Sequence, residues 1–237
     1  MIYYTVNIGN YIEDLQAPSW VQVITEVEES TGDIVRDSRI PKIKCPFSEP
    51  SVYIDASKVH FLNQKFKDIS EEIFKKHDLF ILYHPHEHSY VEECAEYIYR
   101  GWVSEEEIFS FTNYVKPFYN FSKHFQPEGT IIWRRNQQEF NNRWWDLYLR
   151  GGVRDQLSFA VALPDKYGYA PHRDLINQFS DASPEGIWWK TKQGAYKRSV
   201  PRVPHDVILR LCKETGLSRF RYRSRLSSKG ELFFGKT

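Results

Sequence analysis

Apolar residues come in short runs parted by charged, periodic segments. Ile2 to Ile8 and Trp20 to Thr25 read as strands, and Ser51 to Ile54 is a short apolar strand running straight into Asp55. Leu79 to Tyr83 reads as a buried strand that stops at His84-Pro85, and Thr130 to Trp133 as another. Helical spacing appears over Ile69 to Lys76, over Val91 to Tyr99, and over Gln137 to Leu149 with Phe140, Trp144, Trp145 and Tyr148 on one stripe. Ser104 followed by Glu105-Glu106-Glu107 has the form of an N-cap with a capping-box glutamate and opens a helix through Phe111. Asp155 begins a helix that Pro164 ends. Glu26 to Asp37 is polar and turn-rich, and Pro41 to Pro50, with three prolines, predicts an extended loop. Strands alternating with helices predict an α/β fold.

The last fifth of the chain breaks this pattern. Val207 to Glu214 predicts a helix ended by Gly216. Arg219 to Leu226 can then be a Ser218-capped basic helix, giving a helix-turn-helix outline. It can equally be a strand, with Arg219, Arg221, Arg223 and Arg225 on one face about 6.6 Å apart. Charge follows the same division. Residues 190–237 hold 13 Lys and Arg against 3 Asp and Glu, a surplus of +10 in a chain whose net charge is only +1. Residues 1–189 therefore carry −9, so the expected organisation is a main domain over 1–189 and a small basic helical or α+β module over 190–237. Segregated charge of this kind points to a polyanionic partner, with a merely solvated basic face as the bland alternative.

Composition narrows the class further. Hydrophobic residues at 41% and charged residues at 27% are those of a globular protein. The longest apolar stretch, Leu157 to Pro164, is far short of the ~20 residues of a membrane span, so no membrane partner is expected. The first residues lack the charged and apolar regions of a secretory signal. Three scattered cysteines without a CxxC fit neither a disulfide framework nor a cysteine zinc site and suit a reducing cytoplasm, the host's if the protein is viral. Aromatic residues at 16% serve a core, or stack on sugars or bases.

Three local features could carry chemistry. Asp55, delivered by an apolar strand, stands where open α/β sheets place their ligands and could hold a divalent cation against a diphosphate. The alternative is an aspartate capping the next turn. Asp155, in Arg154-Asp155-Gln156, lies in the first turn of a helix, where acids are favoured by the helix dipole; with Gln156 it could instead clamp sugar hydroxyls. His84, His86 and His88, followed by Glu92-Glu93, invite a metal reading, but a solvent-facing loop is the commoner use of such a run.

Several short motifs, in order, resemble a family. They are Tyr4-Thr5-Val6 with Gly9-Asn10-Tyr11; Arg39, Pro41 and Lys42; Tyr53-Ile54-Asp55-Ala56; His84-Pro85 with Tyr90-Val91-Glu92-Glu93; Gln126-Pro127-Glu128-Gly129; Ile131 with Trp133-Arg134-Arg135-Asn136; Asn142 with Trp144-Trp145; and Arg154-Asp155-Gln156-Leu157-Ser158-Phe159. Over about residues 1 to 165 the set resembles the glycosyltransferase-like family that includes plant mucilage and turgor-regulation proteins, a variant of the GT-A nucleotide-sugar fold, and so implies an α/β, Rossmann-like mixed central sheet flanked by helices. Asp14 falls three residues after Tyr11, later than in that family's turn.

The resemblance implies transfer of a sugar from a nucleotide sugar, a UDP-sugar by preference, assisted by Mn²⁺ or Mg²⁺. It implies donor binding by Thr5, Asn7, Gly9, Tyr11, Arg39, Lys42, Asp55, Arg154 and Gln156. It implies a metal site at Asp55, with Ser57 where a second acid often stands and His172, or His205, as the late histidine. Asp155 is then the residue that contacts the donor sugar or acts as base on the acceptor hydroxyl, with Asp55 the other catalytic carboxylate. The arginine-rich, aromatic tail makes DNA the expected acceptor, through Arg219, Arg221, Tyr222, Arg223 and Arg225, as in a bacteriophage enzyme that decorates hydroxymethylated cytosine. A glycan or small acceptor is the runner-up, and a non-catalytic nucleic-acid-binding protein the third reading.

Overall fold

The structure is a computed structural model, which describes residues 1–83, 89–122, 126–151, 154–171, 175, 178, 203–217, 222–226 and 232–236. Six strands form one mixed sheet: β1 (Ile2–Val6), β2 (Val21–Ile24), β3 (Ser51–Ile54), β4 (Leu79–Tyr83), β5 (Pro127–Arg134) and β6 (Gly168–Pro171). Their order is β2-β1-β3-β5-β4-β6. β1 runs parallel to β2 and β3, and β4 parallel to β6; β5 is antiparallel to both its neighbours. Helices α1 (Ile34–Lys44), α2 (Gln64–Lys76), α3 (Tyr90–Tyr99), α4 (Glu105–Val115), α5 (Gln138–Gly151), α6 (Asp155–Ala162) and α7 (His205–Thr215) accompany it. This is an α/β fold compatible with a Rossmann-like arrangement. Among the described residues, no helix is long and apolar enough to cross a membrane.

Strand alternation divides the core in two. Tyr4, Tyr53, Leu79, Ile81 and Ile132 meet the side chains of α1 and α3 to α7, including Cys94, Phe111, Trp144, Phe159 and Leu211. Tyr3, Val52, Ile54, Phe80, Leu82 and Trp133 meet Phe66, Ile73 and Phe74 of α2 on the other face. Both faces are covered, so the central strands read as continuous apolar runs rather than alternating ones. Within the basic tail, Val203, Val207, Ile208, Leu211, Cys212 and Leu217 join the first of these clusters. Lys116 pairs with Glu214 at 3.0 Å and Arg210 lies over the Phe109 ring at 3.8 Å.

Three expectations from the sequence are corrected. Pro41 lies inside α1 and not in an extended loop. Asp33 caps the helix by accepting from the amides of Val35 and Arg36, and tertiary bonds hold its end beyond the proline. Tyr4 donates to the Pro41 carbonyl, while the buried Arg134 guanidinium donates to the carbonyls of Lys42 and Ile43. A buried cation satisfying terminal carbonyls opposes the proline's local cost. Second, Tyr222–Leu226 is a strand, β7, antiparallel to β8 (Leu232–Lys236), so the basic second helix of a helix-turn-helix does not form over those residues. The strict alternation of arginine with other residues wins over the turn signal. Third, β6 and β8 lie in segments for which the sequence pattern suggested no strand.

Two features position the rim. β1 sits between β2 and β3, so the chain turns to opposite sides of it, and the crevice between β1 and β3 is a topological switch point. β5, antiparallel beside β3, brings its first residues to the end where β3 finishes, with an irregularity opposite Ile81 and Leu82.

Candidate functional site

Asp55 follows β3 at this rim. Its amide donates to the Thr130 carbonyl at 2.7 Å, which fixes the backbone against β5. Its side chain makes no cap bond to the 3-10 turn Ala56–Phe61 that follows. Instead it accepts from the Tyr53 hydroxyl and faces Lys42 Nζ at 3.7 Å, with 31% of the side chain exposed. The turn-capping alternative therefore does not describe it.

Asp155 opens α6 and turns its carboxylate to α1, where Lys42 Nζ lies 2.7 Å from Oδ2 and Arg39 Nε 3.2 Å from Oδ1. Arg39 and Lys42 are one helical turn apart, so a single helix face delivers both cations. Burial would raise the Asp155 carboxyl, but Arg39 and Lys42 outweigh it and hold the group well below the usual carboxylate range. Asp155 in turn raises the Arg39 guanidinium, against the effect of burial. Lys42 also lies over the Tyr53 ring at 5.2 Å. A Cβ at Gly129 would come within 3.1 Å of Lys42 Nζ, so the close approach of β5 to this lysine suits glycine.

The structure thus joins Arg39, Lys42, Asp55 and Asp155, residues up to 116 positions apart in the chain. Arg154, expected at the donor, makes no hydrogen bond or ion pair with these four among the described residues; its guanidinium stacks instead on Trp102. Gln156 is half-buried, and its Nε2 has no hydrogen-bond partner among the described residues. Thr5, Asn7, Gly9 and Tyr11 belong to the neighbouring strand and its turn, with no bond to Asp55 among the described residues. Thr5 is fully buried, and its hydroxyl likewise has no partner among the described residues. Asn7 closes the turn through two bonds to the Ile12 backbone. Gly9 has φ +72°, and a Cβ there would lie 2.7 Å from Ile34, so the turn requires glycine. Tyr11 is 82% exposed beside it.

Two residues of the site escaped sequence reasoning. Glu128 and Lys58 are both buried near Asp55. Burial pushes the Glu128 carboxyl well above the usual range, Lys58 pulls it down, and Asp55 adds to the rise. Gly129 after Glu128 was the available signal, but only the β3–β5 pairing shows which carboxylate this places near Asp55. Arg39, Lys42 and Lys58 thus stand beside Asp55, Asp155 and Glu128, which gathers cations and carboxylates at one rim.

Among the described residues, no group of three or more His, Cys, Asp or Glu could hold a metal ion. His84, His86, His88 and His172 lie outside those residues, as do Arg219 and Arg221; the side chains of His205, Tyr222, Arg223 and Arg225 lie outside the description too. Glu92 serves the α3 capping box with Ser89. Asp55 and the half-buried Ser57 do not make a protein-only cage. They do fit a Mg²⁺ or Mn²⁺ shared with a diphosphate, because such ions take one or two carboxylates and complete their shell with phosphate and water. No family model, no characterised protein and no solved structure matches this chain.

Proposed function

We propose that the protein is a nucleotide-sugar glycosyltransferase of GT-A-like architecture. The observation that carries the reading is the meeting of Asp55 with the Arg39–Lys42–Asp155 network at the switch-point rim. Breaking the bond from the sugar's anomeric carbon to the diphosphate leaves negative charge on a phosphate oxygen. Fixed cations in a partly desolvated site stabilise that charge without reorganising. Arg39 and Lys42 supply it, and Asp155 locks their direction. Because those two cations keep Asp155 ionised, it is a weak proton acceptor, and positioning the cations is its main contribution. Asp55, with Ser57, would hold a divalent cation, whose chemistry is further neutralisation of the diphosphate. The turn at Asn7 to Tyr11, next to the same crevice, is the place for the nucleoside.

For the acceptor we favour DNA, because residues 190–237 carry the +10 surplus and β7 contains Arg223 and Arg225. One observation favours a glycan instead: Tyr169 of β6, 57% exposed, stacks at 4.6 Å on Tyr83, the last residue of β4. A panel of nucleotide sugars with Mn²⁺ tests both, offered with hydroxymethylcytosine DNA or with oligosaccharides. Transfer to the DNA supports the proposal. Transfer to oligosaccharide alone moves the acceptor to the second reading, and no turnover or hydrolysis of any donor rejects the enzyme.

A further inference from the structure

Beside the donor network lies a second cationic centre. The chain leaves α3 through Gly101, whose φ is +64°, and the Trp102 amide donates back to the Tyr97 carbonyl at 3.0 Å. That closure fixes Trp102 in the α3–α4 turn, 37% exposed. Two guanidinium carbons lie over its ring, Arg154 at 3.7 Å and Arg100 at 4.6 Å. Arg100 also pairs with Glu96. Arg154 makes no hydrogen bond or ion pair among the described residues, although it is half-buried. Burial lowers its proton affinity, Tyr97 and Asp155 oppose that, and the like charges of Arg39 and Arg100 add to it. Arg39 and Arg100 each have a carboxylate partner, in Asp155 and Glu96, whereas Arg154 has an ion pair with none among the described residues. Stacking on indole orients the Arg154 fork while leaving its N–H donors uncommitted, which is how arginine presents itself to phosphate.

We infer that Arg154, stacked on Trp102 beside Arg100, is a phosphate-binding subsite that takes a phosphodiester of a nucleic-acid acceptor. The inference rests on the DNA-acceptor reading above and locates where the acceptor backbone meets the donor site. Arg39 and Lys42 already face the end of β3, through Asp155 and Asp55. Arg154 directly precedes Asp155 but turns the other way, onto the α3–α4 turn. A phosphate there adjoins the donor site without competing for the diphosphate's cations, as an acceptor threading past the reacting sugar requires.

A donor diphosphate and an acceptor phosphodiester share their chemistry, so the experiment measures both on the intact protein. UDP binding is followed by calorimetry with Mn²⁺, and binding of a short DNA oligonucleotide by fluorescence anisotropy over a salt series. Arg154→Gln should weaken DNA binding about 10-fold and flatten the log–log salt slope by close to one unit. It should leave UDP affinity within about twofold. Arg154→Lys, which keeps charge but loses the planar fork, should fall between. Trp102→Leu should reproduce much of the DNA loss, with melting temperature confirming that all three variants fold. Loss of UDP affinity with DNA affinity intact would assign the phosphate to the donor and overturn the inference. Unchanged binding of both ligands, or a wild type that binds no DNA at low salt, would overturn it as well. A wild type that binds DNA but not UDP would instead reject the glycosyltransferase reading, with the Arg154 comparison still legible.

Discussion

Replacing Asp155 with asparagine keeps the side chain's size and removes the one charge that engages both Arg39 and Lys42. Lys42 is nearly buried, at 6% side-chain exposure, and Asp155 is at 10%. Removing one partner of a buried pair costs about 3–5 kcal/mol, because the other charge is left uncompensated. Here the cost is reduced: Lys42 retains Asp55 and the Tyr53 ring, and Arg39 is partly open to water. We expect a loss of about 2–3 kcal/mol, which for a chain of this size lowers the melting temperature by roughly 4–12 °C. The pH dependence identifies the source. The folded-state proton affinity of Asp155 lies below its unfolded value of about 3.9, so its stabilisation is complete above that pH and declines as pH falls below it. Urea unfolding of wild type and variant at pH 7, and at steps below pH 4, should show the gap narrowing in acid. A gap under about 1 kcal/mol at pH 7, or one that stays constant down to pH 3, would refute the assigned ion-pair role.

Asp55→Ala should abolish nucleotide-sugar turnover, by about 10²-fold or more, while leaving the melting temperature near wild type, since its side chain is partly exposed; full activity of the variant, or of wild type in excess chelator, would remove the cation role. Gly129→Ala pushes a methyl to within 3.1 Å of Lys42 Nζ; displacing that amine should weaken UDP binding roughly 3- to 10-fold by calorimetry, through misplacement of a charged group. Replacing Arg219, Arg221, Arg223 and Arg225 together by alanine should weaken DNA binding across sequences and reduce the salt slope by about 0.9 for each duplex phosphate that is no longer neutralised, with UDP affinity unchanged.

The strands that build the sheet's centre were legible because their apolar runs are short and sharply bounded. Ser51 to Ile54 delivering Asp55, and Leu79 to Tyr83, stand in the structure as the pattern predicts. Ser104 caps α4 with Glu107 closing the box, a purely local arrangement. What the sequence hid was set by distant partners. Pro41 argued against a helix, while the groups that hold the helix past it, Tyr4 and Arg134, lie 37 and 93 residues away along the chain. Asp155 is a helix-start acid by position alone; only the tertiary structure, which packs α5 between α6 and α1, shows that its partners are two cations of α1. Glu128 and Lys58 become neighbours of Asp55 through the antiparallel pairing of β5 with β3 and the turn after it, and neither relation leaves a periodic trace. Trp102 reads as one more core aromatic until Arg100 and Arg154 are found over its ring.

We propose that Arg39, Lys42, Asp55 and Asp155 form a site for the diphosphate of a nucleotide sugar. Titrating the intact protein with UDP and, separately, with uridine in the presence of Mn²⁺ isolates that claim from every question about the acceptor. Saturable UDP binding, at least 10-fold tighter than uridine and lost when Arg39 becomes glutamine, is the predicted result. Equal binding of UDP and uridine, or UDP binding that survives Arg39→Gln unchanged, would contradict it.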